Sequence, residues 1–156
     1  MFLILYEWQS HYIGKIIDMG RVLAIDYGLK RTGLAVTDPL KIIGSPLETV
    51  PTENLITWLN EYLKKEEVER IVIGLPVNLD MSDTHTTKPV KKFIEKINQL
   101  FPNIPVSTED ERFTSKIAQQ TMILGGMKKK ERRIKSNVDK ISAAIILQSY
   151  LQKENF

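Results

Sequence analysis

The sequence predicts a single α/β domain, with helices packed on a mixed sheet of five strands. Three short segments rich in β-branched residues come first and are joined by tight turns, which is typical of an antiparallel meander. Apolar strands and amphipathic helices then alternate, which predicts parallel strands joined by right-handed crossovers. A length of 156 residues with 42% hydrophobic residues suits one domain with its own core.

The meander is predicted from three segments near the start of the chain. Arg21–Tyr27 is an apolar, β-branched run that enters a turn at Gly28. Thr32–Asp38 alternates as the hairpin partner, and Leu47–Val50 is a third strand closed by Pro51.

The remaining elements follow from helical spacing and from continuous apolar runs. They are, in chain order, a helix over 53–66 capped by Thr52, a buried strand at Arg70–Gly74, a helix at Lys88–Leu100, a strand at Ile104–Ser107, a helix at Thr114–Leu124, a basic loop at Met127–Lys135 and a final helix at Ser136–Leu151.

Composition excludes some classes of site. The chain has no cysteine, so it can form neither a disulfide framework nor a thiolate metal site, and this fits a reducing cytoplasm. A net charge of +3 and a pI near 9.0 permit a polyanionic partner. The apolar start of the chain is broken by Glu7, so it is too short for a membrane helix. We expect residues 1–18 to be an extension outside the fold, with Met19 as a candidate native start and 19–156 as the domain.

Asp26 is the first candidate for a catalytic carboxylate. It ends a buried strand, where a carboxylate is costly unless it is paired or binds a cation. Asp-x-Gly is also common turn chemistry, which is the alternative. The longer pattern with Arg31 and Gly33 is more specific, because glycine backbone and a guanidinium can both approach a phosphate closely.

Two further acidic positions lie much later in the chain. Glu109–Glu111 follow the predicted last strand, where α/β proteins place their chemistry, although an exposed loop with an ion pair to Arg112 is the alternative. Asp110 and Glu111 both remain open as ligands.

Asp139 lies one turn into the final helix, on the face of Ala143 and Ile146, although it could instead complete a capping box.

These acids could converge at one end of the sheet, and their chemistry favours a hard cation. Without cysteine and with only two histidines, the chain offers mainly oxygen ligands, which suit Mg²⁺ or Mn²⁺ better than Zn²⁺. Two such ions can activate water and stabilise the leaving oxygen in phosphodiester cleavage.

A basic segment precedes the final helix. It holds six basic residues against Glu131, a local net charge of +5, and such runs are often simply solvated. Its position between a Gly-Gly turn and the Asp139 helix favours a loop that grips phosphate. The residues are Lys128, Lys129, Lys130, Arg132, Arg133 and Lys135.

From about Met19 to Leu151 the chain resembles the YqgF family, also called RuvX, of Holliday-junction resolvases and pre-16S ribosomal RNA nucleases. Four motifs in order carry the resemblance: Leu23–Gly28 with Arg31 and Gly33; Gly74–Pro76 with Asn78 and Asp80; Asp110–Arg112 with Thr114 and Ser115; and Lys135–Leu151. Met81 departs from the family, which usually has glycine there, and Ser82–Thr87 are also atypical.

The resemblance implies an RNase H-like fold with strand order 3-2-1-4-5 and an antiparallel second strand. It implies a cytoplasmic nuclease whose metal-binding, catalytic acids are Asp26, Glu111 and Asp139. We also expect Arg31, Arg112 and the basic segment to contact nucleic acid. The expected activity is cleavage at the 5′ end of pre-16S rRNA, by a monomer or a homodimer.

Other functions remain open at this point. Junction resolution would require a two-fold dimer with paired sites. A non-catalytic nucleic-acid-binding protein of the same fold is a further alternative, although all three acids are present. An actin-like ATPase is disfavoured by length, and an aspartic protease by the single Asp-x-Gly.

Overall fold

A mixed sheet of five strands organises the chain in the computed structural model, which describes residues 20–78, 83–112 and 114–154. The strand order is 3-2-1-4-5, and the second strand is antiparallel to the first, as predicted. The first strand is parallel to the fourth, and the fourth is parallel to the fifth. The strands are β1 (Arg21–Tyr27), β2 (Arg31–Thr37), β3 (Gly44–Pro51), β4 (Val68–Leu75) and β5 (Val106–Asp110).

Helices cover both faces of the sheet. They are α1 (Leu55–Leu63), preceded by a 3₁₀ turn at Thr52–Asn54, α2 (Thr87–Leu100), α3 (Thr114–Leu124), α4 (Lys129–Arg132) and α5 (Lys135–Glu154). Within the described residues, no helix combines the length and apolar composition that a membrane crossing requires. The predicted extension over 1–18, Asp80 and Met81 lie outside the described residues.

Strand alternation divides the protein into two apolar cores. Val22 and Ala24 of β1 pack against the buried side of α5. Leu23 and Ile25 point to the other face, where α1 and α2 cover them. Continuing this alternation, Asp26 belongs to the face covered by α5.

Several predicted boundaries were wrong, and pairing explains two of them. The last strand runs over Val106–Asp110 rather than Ile104–Ser107, because it pairs with β4 up to Asp110. The backbone N–H of Ile104 instead bonds to the carbonyl of Phe101, in a turn. The third strand is longer than Leu47–Val50, because it pairs along the whole of β2 through a bulge.

Two local predictions near the helices also need correction. Thr52 does not cap the first helix; its hydroxyl donates to the carbonyl oxygen of Gly28 at 2.6 Å and so ties down the β1–β2 turn. The helix itself is shorter than 53–66.

The basic segment is not all loop, because it contains α4, where the side chain of Glu131 accepts the N–H of Lys128 at 3.1 Å.

The backbone of α5 lies directly on β2 at Gly33. A β-carbon added to Gly33 would lie 2.0 Å from the carbonyl oxygen of Asp139, so only glycine permits this approach. Gly33 is also the partner of Asp26 in the β1–β2 register. The close approach therefore brings the start of α5 to the end of β1 that carries Asp26.

We predict that Gly33→Ala destabilises the protein by about 1–3 kcal/mol, because α5 must move to admit the methyl group. The control is Gly125→Ala, whose added carbon would lie 3.2 Å from its nearest neighbour, the carbonyl oxygen of Thr121. Urea unfolding measures both variants. Equal stability losses in the two would contradict the account of the close approach.

Candidate active site

Asp26 and Glu111 come together from strands that are not neighbours. Asp26 lies near the end of β1, and Glu111 follows β5, with β4 between them. A β-carbon on Gly74 of β4 would lie 2.6 Å from Oε2 of Glu111. The absence of a side chain at Gly74 therefore leaves room for Glu111 to reach across β4 and form a hydrogen bond with Asp26.

Burial and mutual repulsion make this acidic pair, Asp26 and Glu111, share a proton. The pKa of Asp26 is raised to about 6, mainly by burial and partly by the negative charge of Asp139, while the hydrogen bond from Glu111 acts in the opposite direction and lowers it. The pKa of Glu111 rises to about 9 through burial, the negative charge of Asp26 and their hydrogen bond, with a contribution from Asp110. At neutral pH the carboxyl group of Glu111 therefore stays protonated and donates a hydrogen bond to the carboxylate of Asp26.

Asp139 lies close enough for its charge to affect the pKa of Asp26, but its carboxylate pairs with Arg31 and not with the acidic pair. Nε of Arg31 donates to Oδ2 of Asp139 at 2.9 Å, which links the start of β2 to α5. Across the described ranges, no three histidine, aspartate or glutamate side chains are grouped so as to hold a metal ion as they lie. The three predicted acids thus form a contacting pair and a neighbour paired with arginine.

The other two acids of the Glu109–Glu111 segment have different partners. The carboxylate of Asp110 accepts the backbone N–H of Arg112 at 3.0 Å and its Nε at 2.7 Å. Of the two candidates that the sequence left open, Glu111 is therefore the one that bonds to Asp26.

Glu109 is almost fully buried, which the sequence gave no reason to expect. It accepts hydrogen bonds from the hydroxyl of Ser149, at 2.8 Å, and from the ammonium of Lys153. These residues of α5 lie four apart, so they share one side of the helix, and this spacing is the only sequence signal that could have suggested the contact. Glu109 thus fixes the end of α5 against β5.

The basic segment is exposed apart from Arg132, which is half-buried. In the portion of the chain that the structure describes, its six cationic side chains form no ion pair. α5 begins at Lys135, so the segment runs directly into the helix that carries Asp139.

Comparison with known proteins agrees with this architecture. The family described as "RuvX: Holliday junction resolvase" matches residues 20–153. A Porphyromonas gingivalis protein named "Putative pre-16S rRNA nuclease" is 53% identical over 133 residues, which cover 85% of this chain and 96% of that protein. A Bacteroides thetaiotaomicron protein of the same name is 48% identical over 138 residues, 88% of this chain and 100% of that protein.

The fold also matches that of a solved structure. The structure "T. thermophilus RuvC in complex with Holliday junction substrate" matches with a TM-score of 0.54 at 16% identity, over 86% of this chain and 96% of that chain. This likeness and the strand order confirm the RNase H-like fold that the sequence predicted.

We predict that, with a chelator present to keep the protein free of metal, its free energy of unfolding falls as the pH rises from about 4.5 towards about 9. In this range the unfolded chain has ionised glutamates, whereas the folded protein keeps the proton on Glu111. Unfolding then releases a proton from Glu111, and below about pH 6 also from Asp26, so the free energy of unfolding falls with pH, by at most about 1.4 kcal/mol per unit for each group.

Glu111→Gln should flatten the pH dependence above about pH 6, since the amide cannot titrate and Asp26 is ionised there, and Glu95→Gln on the exposed side of α2 is the matched control. Urea unfolding at several pH values gives the slopes. A Glu111→Gln slope that equals those of the wild type and the control would contradict the shared proton.

Proposed function

The chain belongs to the RuvX family, and we propose that it is a metal-dependent endonuclease that processes the 5′ end of pre-16S rRNA in ribosome biogenesis. The observation that carries the proposal is the hydrogen-bond contact between the two carboxyl groups of the acidic pair, Asp26 and Glu111, at one end of the sheet. The names of the relatives, which are about half identical over nearly their whole length, support the substrate.

The chemistry of the acidic pair fits a divalent cation. Two largely desolvated carboxyl groups in hydrogen-bond contact repel strongly if both ionise, and a bound cation removes this repulsion by replacing their proton. Their ligands are all oxygen, which suits Mg²⁺ or Mn²⁺. We propose that Asp26, Glu111 and Asp139 hold the metal, with two ions at the complete site. Bound there, metal ions would supply an activated water and stabilise the departing oxygen of the phosphodiester.

The residues of the chain would prepare this site in three ways. Glu111 would give up its proton to solvent, so that both members of the pair could act as anionic ligands. Arg31 releases Asp139, which then turns to the pair, and the freed guanidinium can bind a substrate phosphate. The fixed position of α5 on Gly33 keeps Asp139 within reach of Asp26.

The cationic residues around the pair would hold the nucleic acid backbone. We propose that Arg31, Arg112 and the basic segment pair with phosphates, which would make binding strongly dependent on salt. Arg112 must first leave Asp110, its present partner. The basic segment needs no such exchange, because its side chains are free of ion pairs within the described ranges.

A second candidate function is resolution of four-way DNA junctions, which the family description favours. That reaction needs two sites related by a dimer axis, whereas trimming an RNA end needs one. A non-catalytic binding role is the third candidate, but binding of nucleic acid alone would not require two carboxyl groups in contact. For the RNA substrate the protein would act in the cytoplasm.

We predict that Glu111→Gln and Asp26→Asn each lower the rate of Mg²⁺-dependent cleavage at least a thousandfold, because each removes an anionic metal ligand. Binding of the substrate should change little, since the cationic surface is intact. Asp110→Asn is the matched control, as it removes an adjacent carboxylate that lies outside the pair, and it should keep most of the activity.

The assay presents a pre-16S rRNA 5′ leader and a four-way DNA junction side by side, with Mg²⁺ and with Mn²⁺. We expect cleavage of the RNA and weaker or no cleavage of the junction. Preferential cutting of the junction would favour the second candidate, and unchanged cleavage by Glu111→Gln would refute the catalytic assignment.

A further inference from the structure

A groove of about 660 Å³ lies on the face of the sheet opposite the acidic pair, between α2 and the end of β1. One wall presents Lys88, Lys92 and Lys96, which we call the lysine row. Tyr27 of β1 lines the groove, and its ring stacks on Phe93 of α2 with centroids 4.5 Å apart. We call this cavity the α2 groove.

The lysine row is a continuous line of positive charge. Its members are four residues apart, so they share one side of α2 and extend over about 12 Å of the helix. All three are exposed, and none has an ion-pair partner among the residues that the structure describes. By contrast, Lys91 on the next side of α2 pairs with Asp83 at 3.0 Å.

This arrangement is unfavourable for an isolated helix. Like charges four residues apart repel one another and slightly destabilise it. Glu53, which also lines the groove, supplies one negative charge against three lysines. The groove therefore carries net positive charge that an anionic ligand would neutralise.

The α2 groove begins one residue away from the candidate active site. Tyr27 directly follows Asp26, and strand alternation turns these two side chains to opposite faces of β1. Thr52, which also lines the groove, donates a hydrogen bond to the carbonyl oxygen of Gly28, in the turn that follows β1. A polymer that crosses this turn would therefore pass from the acidic pair towards the groove.

We propose that the α2 groove binds a single-stranded segment of the nucleic acid that flanks the phosphate to be cleaved. The lysine row contacts its backbone, and the half-buried ring of Tyr27 stacks with an unpaired base. A row of cations beside an aromatic ring is how proteins hold single strands, whereas a duplex keeps its bases stacked within itself. The link to cleavage rests on the proposed nuclease function, but binding by the groove does not.

The test compares two triple variants with the same change of charge, each in the Glu111→Gln background so that the nucleic acid is not cut. Lys88→Gln/Lys92→Gln/Lys96→Gln removes the lysine row. The control, Lys64→Gln/Lys65→Gln/Lys91→Gln, removes three exposed lysines outside the groove. Fluorescence anisotropy measures the affinity for a short single-stranded RNA and for a duplex, over a series of salt concentrations.

We expect loss of the lysine row to reduce the slope of log affinity against log salt for the single strand by about 2, since three phosphate contacts each contribute about 0.7. The control should keep the wild-type slope. Tyr27→Leu should weaken single-strand binding severalfold, whereas Tyr27→Phe, which keeps the ring, should not.

Equal slopes for the lysine-row variant and the control would overturn the proposal. A loss confined to the duplex would also overturn it, as would an equal loss for a polyglutamate probe, which would indicate an acidic protein partner. Because the assay measures binding alone, a failure here leaves the cleavage assay of Glu111→Gln to decide the nuclease function separately.

Discussion

The contact between Asp26 and Glu111 is the constraint on which the candidate site depends. Two carboxylates that hydrogen-bond in a buried position must share a proton or accept a cation. The sheet imposes this contact, because the order β1-β4-β5 sets the two acids on either side of β4 and Gly74 leaves the gap between them open. The fold thus holds together two groups that repel when both are ionised, a common property of active sites.

The final helix connects this pair to the rest of the proposed machinery. α5 lies on β2 at Gly33, carries Asp139 near Asp26 and is held at its far end by the bonds from Ser149 and Lys153 to Glu109. It also begins at Lys135, the last residue of the basic segment, so the proposed phosphate-binding groups directly precede the helix that carries Asp139. Arg31 now pairs with Asp139, and in the proposed mechanism a substrate phosphate would replace Asp139 as its partner.

The sequence predicted the fold well because its signals are periodic. The bounds of β1 and of α3 were predicted correctly, since each is a regular apolar pattern bounded by turn residues. The residue pattern alone could not decide between Asp110 and Glu111, although the family resemblance implied Glu111. Adjacent side chains point in different directions, and which of them faces Asp26 depends on how β5 pairs with β4. The lysine row escaped notice for a similar reason, as its meaning comes from Tyr27, which is distant in sequence.

The most direct test of the central claim is a count of the protons released when the metal binds. Calorimetric titration of the wild type with Mn²⁺ at pH 7, in two buffers that differ in ionisation enthalpy, gives this number. If a cation replaces the shared proton, binding should release about one proton, and Glu111→Gln should bind more weakly and release none. Tight binding without proton release by the wild type, or the same release by Glu111→Gln, would contradict the account.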